Sequence, residues 1–151
     1  MIYWFIGQPG SGKTVLADKL KEEVLTHAYR IDGDEMRELF NNKDYSKKGR
    51  IANIDAAQKI ALYLHNQGKD VIVSLVTPYI VQREDFKDGK WFLHEIYVHY
   101  DKDYVERGRE HYHVEDFQQP QLDYINIDTT KDTEEKSMKK IIKITGLHEK
   151  V

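Results

Sequence analysis

One stretch constrains this chain more than any other: GQPGSGKT, at residues 7–14. It satisfies the spacing G-x-x-x-x-G-K-[ST] in full, with the apolar run MIYWFI before it and a helical pattern after it. The glycines let the backbone wind so tightly that successive N–H groups converge on one anion. The helix that follows adds the positive end of its dipole. Gly7, Gln8, Pro9, Gly10, Ser11, Gly12, Lys13 and Thr14 are therefore the expected ATP-binding residues. Lys13 is expected to reach the β- and γ-phosphates, and Thr14 to hold Mg²⁺ through its hydroxyl.

A loop of this kind needs a strand before it and a helix after it, and the rest of the chain continues that alternation. Strands are expected at residues 2–6, 29–31, 70–76, 92–100 and 124–127. A helix is expected over 12–28, with Val15, Leu16, Leu20, Val24 and Leu25 on one side. A short helix is expected over 35–40. Ser46 is placed to cap a long one over 47–67, with a stripe of Ile51, Ile54, Ala57, Ala61 and Leu64 and with Gly68 at its end. Further helices are expected over 79–87 with Pro78 at the start, from Asp101 into 107–111, and over 133–145. The stretch DVIVSLV is too apolar for a wet face. The pattern predicts a three-layer α/β fold, a parallel five-stranded sheet flanked by helices, in one domain over residues 1–151. Residues 107–123 are polar and without a period, a length of irregular chain that is more often functional than idle.

Composition narrows the chemistry. A net charge of −3 lacks the basic footprint of a protein that coats nucleic-acid backbones. With no cysteine there is no disulfide, thiolate metal site or Cys nucleophile, which fits a cytoplasmic protein. No apolar run approaches the roughly 20 residues of a membrane span.

The kind of nucleotide protein follows from what accompanies the loop. Asn41-Asn42-Lys43-Asp44 lacks the spacer of a guanine-reading N-K-x-D and reads as a turn. The strand VIVSLVTP does not end in the Mg²⁺-binding Asp of an ATPase motor. The nearest carboxylates are Asp32 and Asp34, after the short second strand. There a carboxylate can orient or deprotonate an acceptor hydroxyl, which suits a small-molecule kinase.

Further motifs follow in order: IDGDEMR, DYSKKGRIANI, a helix ending in QG, VIVSLVTPY and IDTTKDTEE. Together with the phosphate loop they resemble the adenylylsulfate (APS) kinase family of P-loop kinases. Its patterns there are LDGD-x-x-R, GFS-x-x-x-R-x-x-NI, AG, VIVSFISPY and a closing LDT. The resemblance implies transfer of the ATP γ-phosphate to the 3′-hydroxyl of APS, giving PAPS in sulfate assimilation, with ATP and Mg²⁺ as cofactors. It places Asp34 as general base and Asp32 on a Mg²⁺-bound water, with the exchange of the two roles as the alternative. Arg37 and Arg50 match the family arginines, and their forked donors suit phosphate and sulfate groups. Asn53 can bond sugar or adenine, and Tyr45 stands where the family's Phe stacks on adenine. Thr77, Pro78 and Tyr79 match SPY, Thr77 at a Ser sometimes described as phosphorylated, and Arg83 matches a further family arginine. Family members are often dimers, so a homodimer is the implied assembly.

Departures from the pattern are as informative. The family's NIRR is Asn53-Ile54-Asp55-Ala56, and its SPYR is Thr77-Pro78-Tyr79-Ile80. Its long lid is cut to RGREHYHVEDFQQP, a short lid at about residues 107–120. Arg107 matches the lid's leading arginine, and Arg107 or Arg109 is expected to steady the transferring phosphate. Tyr112 or Phe117 is expected to close an aromatic sandwich with Tyr45. His111 and His113 read as polar lid residues rather than as a metal site. Lost arginines and a short lid leave room for another hydroxyl acceptor, such as a nucleotide, a group on DNA or a sugar. A nucleotide-binding switch without catalysis is the third reading, and the retained Asp32, Asp34 and Arg37 argue against it.

Overall fold

The computed structural model describes residues 1–102 and 113–148. Five parallel strands form one sheet in the order β2-β3-β1-β4-β5: β1 (Ile2–Ile6), β2 (Tyr29–Asp32), β3 (Val71–Ser74), β4 (Leu93–His99) and β5 (Ile125–Asp128). Between them run α1 (Lys13–Glu23), α2 (Gly33–Leu39), α3 (Lys47–Asn66), α4 (Ile80–Lys87) and α5 (Glu134–Thr145). The expected alternation and parallel pairing are both present.

Side chains alternate across the strands and so define two cores. Tyr3, Phe5, Ile72, Val98 and Ile127 face Leu16, Ala17 and Leu20 of α1 and Met138 and Ile141 of α5. Ile2, Trp4, Ile6, Ile31 and Val73 face the other way, onto Met36, Ile54, Ala57 and Ala61 of α2 and α3. Ile72 and Ile127 are fully buried, and each such side chain contributes about 1.5–3 kcal/mol relative to exposure.

Several boundaries differ from the expected ones. Helix α1 stops at Glu23 rather than at 28, because Leu25 turns its N–H back onto the Leu20 carbonyl and opens the turn. Val15 and Ile51 do not join the buried stripes; they stand 45% and 38% exposed, since one helix face cannot cover every apolar position. Strand β2 runs one residue further, through Asp32, and α2 starts at Gly33 with Asp32 as its N-cap. Ser46 does cap α3, accepting the Gly49 N–H at 3.4 Å. The cap of α4 is not local: the Ile80 N–H donates to the Gln118 side chain at 2.8 Å. The expected helix from Asp101 falls largely outside the described residues.

Strand order reverses about β1, with β3 on one side and β4 on the other. Crevices at such a reversal, beyond the carboxyl ends of the strands, are where open α/β sheets bind ligands.

Candidate active site

A cavity of about 660 Å³ opens at that point, lined by parts of the phosphate loop, the β2–α2 turn, α3 and the loop after β3. On its donor side the loop leaves β1 at Gly7, whose φ is 154°. A Cβ there would run into the Val98 carbonyl oxygen, so no larger residue lets the loop pass β4. Gly12, at φ 105°, occupies the N-cap of α1, and no side chain caps that helix. The N-terminus of α1 thus opens directly from the loop, an arrangement suited to phosphate. Pro9, Gly10, Lys13 and Thr14 line the cavity. Lys13 is 8% exposed, with its Nζ 3.4 Å from the Gln8 carbonyl.

The Gln8 side chain does something else. Its Nε2 donates to the Val114 carbonyl at 2.7 Å, and its Oε1 accepts the Val114 N–H at 2.8 Å. A two-armed clamp thus ties the phosphate loop to Val114, inside the stretch expected to form the short lid. Nothing in the motif announces it, because this position carries no fixed residue in G-x-x-x-x-G-K-[ST].

Across from Lys13, Asp32 and Asp34 share the cavity wall. Asp32 is held at both oxygens: Oδ1 accepts from the Ser74 hydroxyl at 3.0 Å and Oδ2 from the Asp34 N–H at 3.2 Å. Among the described residues, none bonds the Asp34 carboxylate. The donor set fits a hard divalent cation, because the Thr14 hydroxyl and the Asp32 carboxylate offer oxygen ligands to one cavity.

The wall expected to take the acceptor is assembled from α2, α3 and the loops that precede α3 and α4. Arg37 donates to the carbonyl of Asp44 at 2.9 Å and to that of Asn42 at 3.2 Å, and its guanidinium lies 4.0 Å from the centroid of the Tyr45 ring. Tyr45 is 65% exposed, so the other face of its ring is open to a base. Arg50 sits 3.5 Å from both the Asp116 carboxylate and the Tyr79 hydroxyl. Asn53 is buried and its Oδ1 accepts no bond among the described residues. Asp44 lies beside this wall; hydrogen bonds from Ser46 hold its carboxyl below the usual range.

Three expected acceptor residues sit differently from the expectation. Thr77 lines the cavity, but its hydroxyl is buried, accepting from Trp4 at 2.9 Å and donating to the Leu75 carbonyl at 2.9 Å. Its backbone takes the left-handed region at φ 50°, held there by Arg83, which donates to the Thr77 carbonyl at 2.8 Å. Tyr79 is buried behind Arg50. Phe117 is not on the cavity wall: its ring stacks on Tyr97 at 5.9 Å and packs against the α3-side core. Tyr97 and that core take up the ring, so it does not form the expected sandwich with Tyr45. Pro78 and His113 do line the cavity. Arg107, Arg109, His111 and Tyr112 lie outside the described residues.

The profile of the adenylylsulphate kinase family matches residues 1–113. The chain belongs to that family. Cytidine diphosphoramidate kinase of Campylobacter jejuni is 33% identical over 107 residues, covering 66% of this chain and 61% of its own length. Adenylyl-sulfate kinase of Staphylococcus epidermidis is 28% identical over 170 residues, covering 98% of this chain and 85% of its own. The match to the bifunctional enzyme NodQ of a Rhizobium strain spans 16% of that protein. The Mycobacterium tuberculosis APS kinase CysC, solved with AMPPNP and APS, shares the fold at a TM-score of 0.83 and 20% identity, over 96% of each chain. Among the described residues no helix is long and apolar enough to cross a membrane.

Proposed function

We propose that this chain is an ATP-dependent kinase that transfers the γ-phosphate to the 3′-hydroxyl of adenylylsulfate, giving PAPS. The observation that carries the reading is a single cavity lined by Lys13, Thr14, Asp32, Asp34, Arg37 and Arg50. One end of it suits the phosphates of ATP and the other an anionic acceptor. The phosphate-loop amides and Lys13 hold the β- and γ-phosphates in line with the incoming oxygen. Arg37 and Arg50 take the acceptor's phosphate and sulfate, and the open face of Tyr45 takes the base. Asp34 accepts the hydroxyl proton as that oxygen bonds to the γ-phosphorus and the bond to the bridging oxygen breaks, releasing ADP. Mg²⁺, when bound by Thr14 and through water by Asp32, neutralises charge on the phosphates. The protein works on small molecules in this reading, as one domain and as a homodimer of the cytoplasm.

A second reading keeps the donor half and changes the acceptor. Ile80 and Ala56 stand where the family carries arginine, and Asp55 is ion-paired with Lys59 at 2.8 Å. The Campylobacter relative's name concerns a cytidine compound rather than adenylylsulfate. Both readings are tested together by supplying ATP and Mg²⁺ with adenylylsulfate or with cytidine diphosphoramidate and identifying the product by mass. A 3′-phosphorylated adenylylsulfate supports the first; a phosphorylated cytidine compound alone replaces it with the second.

A further inference from the structure

Asp32 is oriented from behind by Ser74, which lies within the VIVSLVTPY stretch, and by Arg30, which no motif marks. It lies directly opposite Ser74 in the parallel pair of β2 and β3, and Arg30 lies two residues back on the same face of β2. Ser74 is 1% exposed. Its oxygen accepts from Arg30 Nη2 at 2.6 Å, and its proton goes to Asp32 Oδ1 at 3.0 Å. A hydroxyl has one proton, so the guanidinium on its lone pair sets the direction in which that proton is given. Arg30 is fixed in turn. Its Nε meets Asp18 of α1 at 3.0 Å, and its Nη1 donates to the Ile31 carbonyl at 2.8 Å and the Ile72 carbonyl at 3.4 Å. Its side chain is 14% exposed. The result is a chain of single-direction donors, guanidinium to hydroxyl to carboxylate, running along one face of the sheet to the cavity wall.

Asp34 has no such support. Its N–H braces Asp32, and its own carboxylate is left without a bond among the described residues. A carboxylate that must hold a metal-bound water needs a fixed plane, whereas one that takes a proton from a moving hydroxyl needs free lone pairs.

We propose that Arg30 and Ser74 are positioning residues that fix the Asp32 carboxylate toward the Mg²⁺ water, which leaves Asp34 as the base. The proposal rests on the reading that the cavity binds ATP with Mg²⁺. Groups that orient metal-site carboxylates from behind act on metal affinity by about tenfold or more. The test is the affinity of the protein for ATP, by titration with and without Mg²⁺, in wild type, Ser74→Ala, Arg30→Met and Arg30→Lys. Mg²⁺ is expected to tighten ATP in the wild type. In Ser74→Ala and Arg30→Met that tightening falls by about tenfold while the Mg²⁺-free affinity is unchanged, and Arg30→Lys restores part of it. A merely structural role would instead lower both affinities together with the melting temperature, and that result overturns the relay. So does equal tightening in all four proteins. A wild type that binds no ATP under either condition overturns the parent reading and the relay with it.

Discussion

On the phosphate side of the cavity the chain offers backbone N–H groups whose directions are set by the torsions of Gly7, Gly10 and Gly12, before any ligand arrives. On the acceptor side it offers guanidinium groups that already have partners: Arg37 on two carbonyls and an aromatic ring, Arg50 on Asp116 and Tyr79. The first half is preorganised, so a ligand gains its full interaction. The second half must release or share its own contacts when an anion binds. In the proposed kinase its selectivity therefore depends on how the acceptor competes with Asp116 and the carbonyls of residues 42 and 44. A site built this way can change acceptor without rebuilding its donor half.

The contrast can be broken most sharply at Lys13. Lys13→Met is expected to lower kcat by roughly a thousandfold, with little change in melting temperature, because the ammonium stabilises charge that develops on the phosphates. Asp34→Asn is expected to lower kcat by about a hundredfold while ATP affinity by titration stays as in the wild type. A loss of ATP binding in that variant would move Asp34 from the acceptor half to the donor half.

The acceptor half is sharpened by a pair of variants with opposite signs. Arg50→Met is expected to raise KM for the acceptor by about tenfold, the scale of one charge-assisted hydrogen bond, with KM for ATP unchanged. Asp116→Asn removes the competitor and is expected to lower the acceptor KM by about twofold, since a rim ion pair is weak. If both variants raise it, Asp116 is an acceptor ligand and not a competitor.

The smallest effect is a pH dependence that lies away from both halves. His94 stacks on Tyr3 at 5.4 Å, and burial pushes its pKa below the usual 6.5. Beside the N-terminus, His65 is also lowered, first by burial. The unfolded chain binds these protons more readily, so their contribution to stability is present above about pH 6.5 and declines as pH falls below it. His94→Phe is expected to flatten that decline in melting temperature and to leave kinase activity at pH 7.5 unchanged.

The donor half was legible in the sequence because it is local. Eight consecutive residues carry both the spacing and the conformational demand. The proposed acceptor half was legible as four residues that line one cavity, Arg37, Tyr45, Arg50 and Asn53, but not in how they pair. The partner of Arg50 is 66 residues away, and the Gln8 clamp spans 106. The Arg30–Ser74–Asp32 chain depends on register between β2 and β3, which hydrophobic pattern does not fix to the residue. Phe117 misled for a related reason. An aromatic in a polar segment suggests a ligand contact, yet Tyr97 and Arg83 were waiting on the neighbouring elements to receive it.

The central claim is that one cavity holds both substrates with the acceptor hydroxyl at Asp34. A crystal structure with MgADP and adenylylsulfate tests it most directly. The account predicts ADP phosphates on the amides of residues 10–14, the 3′-hydroxyl within about 2.6–3.2 Å of the Asp34 carboxylate, and the acceptor's anionic groups on Arg37 and Arg50. Adenylylsulfate bound away from Arg37 and Arg50, or absent from a crystal that contains ADP, would contradict it.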